Sequence, residues 1–354
     1  MVGRTTIRPF TVGEDQISLV IGSTGDATWT AQSQEVEPEL GHSRDRSTIE
    51  IALVNNMPSS AFDATEQQFA TLLEAAADEL GGTTVHLGRY AIEGLKRSFE
   101  VQERIARDYN TVEVLYATRP DGLIITGTEP LASDLRSEPY WGALAGLINW
   151  AKDSTASAVV SCLAAHAAAL LFDGIERETL AAKCSGVFVQ DVTGGHPLTT
   201  GLGTKVHMPH SRLNDLPSAM LQAGGYANLI ASPEMNWTVA VKELGSCIFV
   251  LVQGHPEYST TSLLREYRRD LQRYVRAERR DLPAIPVGYL DAEGERLLED
   301  FEARVLNGPH DPEIMSQFPF NEVAQRLANT WQGSGTRLYA NWLRLIQCRR
   351  KTRA

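Results

Sequence analysis

The chain has 354 residues, which suffices for one large domain with appendages or for two smaller domains, and we expect one domain. Its formal net charge of -11 argues against a nucleic-acid partner, because binding to phosphate backbones needs clustered positive charge. No stretch approaches the ~18 consecutive apolar residues of a membrane span, and the N-terminus lacks a signal-peptide pattern. We therefore expect a soluble, cytoplasmic protein with no membrane partner.

The cysteines are too widely spaced to suggest a disulfide framework or a structural zinc site, since no Cys-x-x-Cys pair occurs. Three of the four are interpreted as buried thiols. We expect no bound metal. The four cysteines are Cys162, Cys184, Cys247 and Cys348.

Strand and helix patterns alternate through the first half of the chain, after an N-terminal arm (residues 1–47) that is predicted to be irregular. Alternating strands and helices imply right-handed crossovers, so we predict an α/β three-layer sandwich with a mostly parallel sheet. The predicted strands are 49–57, 83–90, 121–127 and 157–162, and the predicted helices are 65–80, 138–154 and 163–172.

The second half begins with shorter strands that suit a sheet extension or an antiparallel edge, followed by a helix at 262–280. Residues 281–312 are rich in proline, glycine and charge, and we interpret them as an outer helical insertion within a domain that spans residues 48–348. The basic ending, residues 349–354, is predicted to be a solvated tail. The shorter strands are 185–192, 228–232, 237–243 and 246–254.

Cys162 stands where the apolar run "SAVVSC" gives way to a helical pattern. Ligands of parallel α/β sheets bind beyond the carboxyl ends of the strands, and the N-terminus of a helix stabilises a thiolate. The position therefore suits a nucleophile, although a cysteine at the end of an apolar strand is more often an inert packing residue.

A second strand end carries an imidazole and a carboxylate two residues apart, in "VLVQGHPEY". A carboxylate can orient an imidazole, which in turn can take a proton from a thiol. The alternative interpretation is a strand-terminating turn with solvated polar residues. The residues are His255 and Glu257.

Taken together, these stretches resemble the Cys-His-Glu constellation of class I glutamine amidotransferases, and the chain more closely resembles the homoserine O-succinyltransferase family. The resemblance runs from about Ile49 to Leu345. The segments that carry it, in order, are "NNMP", "TEQQF", "DGLIITG", "KCSGV", "MPHSR", "GHPEY", "PHDP" and "GTRLYANWL". It implies a class I glutamine amidotransferase-like, flavodoxin-like fold and a homodimer that binds small-molecule substrates.

The resemblance also implies roles for individual residues. Cys162 matches the family nucleophile, which takes an acyl group from acyl-CoA, the co-substrate, with no bound cofactor. His255 matches the general base and Glu257 its orienting partner, and the amide of Leu163 is the natural oxyanion donor. Positions that match the family's substrate-holding residues are Lys183, Ser211 and Arg269.

Two departures from the family pattern concern catalysis and acyl choice. Typical members follow "MP" with lysines, one of which stabilises the oxyanion, whereas this chain has Ser59 and Ser60. If Pro130 aligns with the family proline, Ala132 takes the position that discriminates succinyl from acetyl, with Glu129 close by. The small Ala132 side chain favours succinyl.

Three functions remain open at this point. The first is transfer of a succinyl or acetyl group to L-homoserine or a similar hydroxy amino acid, in methionine biosynthesis. The second is a glutamine amidotransferase-like hydrolase, although the glycines that usually surround the cysteine of such enzymes are absent here. The third is a catalytically weakened relative with a binding role.

Overall fold

The computed structural model describes residues 16–21, 27–32, 48–308 and 311–353, with side chains from 48 to 308 and from 311 to 350. The strands are β1 (Gln16–Ile21), β2 (Ala27–Gln32), β3 (Thr48–Val54), β4 (Thr84–Tyr90), β5 (Gly122–Ile125), β6 (Ser157–Ser161), β7 (Glu178–Val192), β8 (Lys205–Asp215), β9 (Ala227–Ala231), β10 (Val239–Leu244) and β11 (Cys247–Val252). The helices are α1 (Phe62–Leu80), α2 (Phe99–Asp108), α3 (Val112–Thr118), α4 (Trp141–Ser154), α5 (Leu163–Asp173), α6 (Ser218–Ala223), α7 (Ser262–Val275), α8 (Ala292–Asn307), α9 (Phe320–Ala324) and α10 (Gln332–Arg353).

All eleven strands form one sheet, in the order β2-β1-β4-β3-β5-β6-β11-β10-β9-β7-β8. The five central strands, from β4 to β11, are parallel to one another. Strands on both flanks pair antiparallel. The α/β fold class is confirmed, with parallel pairing confined to the centre of the sheet. The antiparallel extension predicted for the later strands is present in β7, β9 and β10, but the prediction is wrong for residues 246–254, because β11 pairs in parallel with β6 in the centre of the sheet.

Helices cover both faces of the central strands. Ile51 and Leu53 of β3 belong to the hydrophobic cluster that includes α1 and α10 residues, whereas Ala52 and Val54 belong to the cluster that includes α4 and α5 residues. Successive side chains of a strand point to opposite faces, so each face has its own apolar layer. Burial on both faces explains why these strands are apolar without interruption and confirms the three-layer sandwich.

The N-terminal arm is not irregular throughout, because β1 and β2 lie within it. They form an antiparallel pair, and β1 also pairs with β4, with Leu19 opposite Leu87. An edge strand offers unpaired backbone N–H and C=O groups to a further strand. Hydrogen bonds to these groups can form whether or not the added strand has an apolar sequence. The expectation of irregular structure is wrong for these two strands, and the remainder of residues 1–47 lies outside the described residues.

The basic ending is helical and is not a separate tail, since α10 continues to Arg353. Arg350 Nε lies 3.1 Å from Asp121 Oδ1, and Arg349 Nη2 lies 2.6 Å from Glu243 Oε1. Cationic side chains are favourable in the last turn of a helix because they complement its dipole. The tail prediction is therefore wrong for residues 349–353.

The helix predicted inside segment 281–312 is present as α8 and packs on α7. Leu264 and Leu271 of α7 share a buried cluster with Leu298 and Phe301 of α8. This packing holds α7 beside the carboxyl ends of the parallel strands. Within the part of the chain that the structure describes, no helix combines the length and the apolar character needed to cross a membrane.

Candidate active site

Cys162 forms a sharp turn between β6 and α5. Its backbone has φ 52° and ψ -112°, a conformation that residues with a side chain rarely adopt. Its amide donates a hydrogen bond of 2.7 Å to Val252 O at the end of β11. A strained strand-to-helix turn of this kind exposes a nucleophilic side chain at the edge of the sheet, and Cys162 is partly exposed.

The pairing of β6 with β11 places the imidazole near the thiol. Val252 lies opposite Ser161 in parallel register, so the segments that follow both strands run side by side. Gly254 allows β8 to approach, because a Cβ atom there would lie 2.3 Å from Met208 Cγ. The geometry thus brings His255 to Cys162.

His255 and Glu257 form a buried ion pair beside Cys162. His255 Nδ1 lies 2.8 Å from Glu257 Oε1. Burial by itself lowers the pKa of His255, but the Glu257 carboxylate and a hydrogen bond with Cys162 outweigh it and raise the pKa to about 10. His255 is therefore an imidazolium at neutral pH and lies beside the Cys162 side chain.

Gln253 is a site residue that the sequence analysis missed. It is fully buried, its Nε2 lies 3.8 Å from Cys162 Sγ, and its Oε1 lies 2.5 Å from His166 Nε2. A polar residue at the end of an otherwise apolar strand was the available signal, because a buried amide requires partners. Gln253 therefore connects His166 on α5 to the thiol.

Replacing His166 by glutamine is expected to make the protein less sensitive to acid. Burial lowers the pKa of His166 to about 4. Between pH 6.5 and 4 the unfolded chain binds a proton there and the folded chain does not, so stability falls as pH falls. Urea unfolding should show that, between pH 7.5 and pH 5, the free energy of unfolding falls by roughly 2 kcal/mol more in wild type than in His166→Gln.

Other buried histidines titrate in both proteins, so their contribution cancels in this comparison. If the free energy of unfolding fell equally in the two proteins as the pH was lowered, the result would contradict a neutral, buried His166.

Leu163 N lies at the first position of α5, where a backbone amide has no acceptor within the helix. A Cβ atom on Gly127 would lie 3.1 Å from this amide. The absence of a side chain at Gly127 therefore keeps the space before the amide open. An oxyanion formed at Cys162 could accept a hydrogen bond from Leu163 N.

The three predicted substrate-holding residues meet at two acidic side chains of α7. Ser211 Oγ donates a hydrogen bond to Glu266. Lys183 Nζ lies 2.7 Å from Asp270 Oδ2 and 3.5 Å from Glu266 Oε2. Arg269 Nη2 lies 3.2 Å from Asp270 Oδ1. The structure thus gathers these residues into one polar cluster, which we call the α7 cluster.

The α7 cluster continues into the His255 region through Tyr258. The Tyr258 ring stacks on His255 with 4.3 Å between ring centroids, and its hydroxyl donates a 2.6 Å hydrogen bond to Glu266 Oε1. Burial alone raises the pKa of Glu266, but Lys183 and the hydroxyls of Ser211 and Tyr258 outweigh it and lower the pKa. Glu266 is therefore an ionised carboxylate that organises the cluster. The sequence analysis missed it.

The two residues proposed for acyl choice have different neighbours. Glu129 Oε1 lies 3.6 Å from Arg269 Nη1, so Glu129 faces the α7 cluster. Ala132 N donates to Glu138 Oε1 at 2.5 Å, and Ala132 O accepts from Arg177 Nη2 at 2.8 Å. Ala132 therefore lies beside Arg177 and Glu138.

Ser59, at the position where lysine was expected, supports a neighbouring helix. Its Oγ accepts a 2.7 Å hydrogen bond from the amide of Ser98, the residue before α2. Ser60 is exposed. The hydroxyl of Ser59 thus has a structural partner, and the oxyanion donor supported by geometry is Leu163 N.

A cysteine at the end of a central parallel strand therefore lies beside a histidine and a glutamate that follow the neighbouring strand of an α/β sheet. The chain belongs to the homoserine O-succinyltransferase family, whose sequence model matches residues 30–352. This finding confirms the family resemblance.

Two relatives of known family agree with the family assignment, and a solved structure is reported with them as a distant likeness. The chain is 43% identical over 295 residues to the homoserine O-succinyltransferase of Rhodopseudomonas palustris, which covers 83% of this chain and 87% of the relative. It is 39% identical over 315 residues to the homoserine O-succinyltransferase of Bradyrhizobium japonicum, and the match covers 88% of this chain and 95% of the relative. A solved glutamine amido transferase from Methylobacillus flagellatus is 15% identical, with a TM-score of 0.44 and coverage of 84% and 95%.

Proposed function

We propose that the protein transfers the succinyl group of succinyl-CoA to the hydroxyl of L-homoserine, through an acyl thioester on Cys162, in methionine biosynthesis. The observation that carries this proposal is the buried His255 and Glu257 pair, 2.8 Å apart, next to a strained strand-end cysteine in a chain of this family. Acyl-CoA is the co-substrate, and the proposal requires no bound cofactor.

The first half-reaction transfers the acyl group to the enzyme. The Cys162 thiolate attacks the thioester carbonyl, and Leu163 N donates to the resulting oxyanion. The bond between the carbonyl carbon and the CoA sulfur then breaks. The leaving sulfur takes the proton of the His255 imidazolium, so free CoA departs and His255 becomes neutral.

The second half-reaction returns the enzyme to its starting state. Acylation removes the thiolate charge that helped to hold the proton on His255, so the imidazole is a better base for the alcohol. His255 takes the hydroxyl proton of homoserine while the oxygen attacks the acyl-cysteine. Breaking the bond to Cys162 Sγ releases the ester and restores the thiolate and imidazolium pair.

The α7 cluster is our proposed site for the amino-acid acceptor. It lies next to His255 and combines cations with an ionised Glu266, which suits a group that carries both a carboxylate and an ammonium. Arg269 is the proposed partner of the carboxylate. Glu129 lies 3.6 Å from Arg269 in this structure. The carboxylate of the incoming acceptor would replace Glu129 as the partner of Arg269.

Arg269→Lys is expected to weaken acceptor use and to spare enzyme acylation. Lysine keeps the charge but lacks the bidentate fork, so kcat/KM for homoserine should fall about tenfold to a hundredfold. Steady-state kinetics report the acceptor step, and the burst of CoA release without acceptor reports acylation.

The matched control is Arg273→Lys, on the same helix, which lies 3.5 Å from Glu129 and is more exposed than Arg269. It should change homoserine kinetics little. An equal loss in both half-reactions of Arg269→Lys, or no loss at all, would contradict the acceptor assignment.

The function itself is tested by following CoA release with succinyl-CoA or acetyl-CoA as donor and with homoserine or serine as acceptor. We expect succinyl-CoA and homoserine to be the best pair. A parallel arm measures ammonia release from glutamine. Glutamine hydrolysis without CoA release would favour the hydrolase, and neither activity would favour a relative that only binds.

From the family resemblance we also propose a cytoplasmic homodimer whose partners are small-molecule substrates. Sedimentation equilibrium of the purified chain checks the dimer, and a monomer at micromolar concentration would contradict it.

A further inference from the structure

A cavity of about 280 Å³ lies between the loop that follows β5 and the first turns of α5. His166 lines it, and the same side chain is bonded to Gln253, whose amide contacts Cys162 Sγ. The cavity therefore extends from the side of the nucleophile. It is separate from the α7 cluster, none of whose residues lines it.

Arg177 is the cation of this cavity. Its Nη2 donates to Ala132 O at 2.8 Å and to Ser133 O at 3.0 Å, and its Nε donates to Ser133 O at 3.3 Å. All of these acceptors are neutral carbonyls. Within residues 48–308 and 311–350, no carboxylate lies within ion-pair distance of Arg177, and its Nη1 has no hydrogen-bond acceptor.

The charge of Arg177 is thus only partly compensated. Burial lowers the pKa of Arg177, whereas Tyr140, Glu138 and Asp134 act in the opposite direction. A half-buried cation held by carbonyls, with a donor to spare, is suited to bind an anionic ligand.

Arg136, in the same cavity wall, is different. Its Nε lies 2.9 Å from Asp134 Oδ1, its Nη2 lies 2.7 Å from Glu176 Oε1, and half of its side chain is exposed. Its charge is already neutralised by carboxylates. Arg177 is therefore the better candidate for an anion near Cys162.

We infer that Arg177 binds the distal carboxylate of a dicarboxylic acyl group and so makes the enzyme select succinyl-CoA over neutral acyl donors. The inference rests on the proposed acyl transfer. Two methylene groups separate the two carbonyl carbons of succinate, so its free carboxylate stays near the nucleophile. The phosphates of CoA are separated from the sulfur by the whole pantetheine arm.

The same contacts explain how Ala132 would influence acyl choice. Arg177 holds the carbonyls of Ala132 and Ser133, so the loop and the guanidinium form one unit. A larger or acidic side chain at position 132 would compete for the space or for the charge beside Arg177. A small neutral residue leaves both to the substrate.

The test compares succinyl-CoA with butyryl-CoA, which has the same chain length but a methyl group in place of the carboxylate. Arg177→Gln removes the charge and keeps an amide donor for Ala132 O, and Arg177→Ala removes both. We expect kcat/KM for succinyl-CoA to fall about tenfold to a hundredfold in both variants. The kcat/KM for butyryl-CoA and the KM for homoserine should each change less than threefold.

The matched control is Arg136→Gln, which should keep the wild-type preference for succinyl-CoA. Equal losses with both donors in Arg177→Gln, an unchanged preference, or a selective rise in the KM for homoserine would each overturn the inference. If wild type transfers succinyl groups to homoserine, those outcomes contradict only the role of Arg177 and not the proposed function. Absence of any transfer by wild type would overturn the proposed function, and the inference with it.

Discussion

Cys162→Ala is expected to lower the release of CoA from succinyl-CoA and homoserine by at least about 10³-fold, because no other group can form the acyl intermediate. Alanine has the same backbone restrictions as cysteine at φ 52°, so the turn between β6 and α5 should persist. A thiol-reactive dye measures free CoA directly. Circular dichroism and thermal unfolding should match those of wild type.

The control for this substitution is Cys348→Ala, which changes an exposed thiol on α10. It should retain wild-type turnover. If Cys162→Ala keeps more than a few per cent of the activity, acyl transfer does not pass through this residue, and a direct transfer from CoA to the acceptor would have to be considered.

His255→Ala is expected to slow both half-reactions about 10²-fold to 10⁴-fold, because one imidazole protonates CoA and later deprotonates homoserine. Glu257→Gln should cost less, since the amide oxygen can still accept from His255 Nδ1. Stopped-flow measurement of CoA release separates acylation from turnover in each variant.

The pH profile distinguishes an electrostatic role of Glu257 from a purely structural one. The Glu257 carboxylate raises the pKa of His255, so its removal should lower that pKa. The imidazolium that protonates CoA would then be lost at lower pH, and the alkaline limb of kcat/KM for succinyl-CoA should move to lower pH. An unmoved limb, or a variant as inactive as His255→Ala with an intact fold, would require new roles for both residues.

The closeness of Cys162, His255 and Glu257 could be predicted from sequence, because residues that follow parallel strands lie at one edge of a sheet. Cys162 and His255 each follow an apolar run, and carboxyl ends of neighbouring parallel strands meet at one edge of a sheet. The conclusion also requires β11 to lie beside β6 in parallel, which the strand patterns alone did not predict. Family segments then identified which strand ends matter.

Contacts formed by antiparallel strands and by α7 were less accessible to sequence reasoning. Ser211 on β8 donates a hydrogen bond to Glu266 on α7, and β8 is held by its pairing with β7, which no local pattern specifies. The position of β1 beside β4 depends likewise on a long-range partner. In contrast, Leu338, Trp342 and Ile346 repeat at the spacing of one helical turn, so α10 could have been predicted.

The acyl-enzyme itself is the most direct test of the proposed mechanism. Wild-type protein is mixed with succinyl-CoA in the absence of acceptor, and the intact mass is measured before and after homoserine is added. We expect one added succinyl group, located on Cys162 by peptide mapping and removed by homoserine. An adduct that persists in Cys162→Ala, or that homoserine does not remove, would contradict the proposed mechanism.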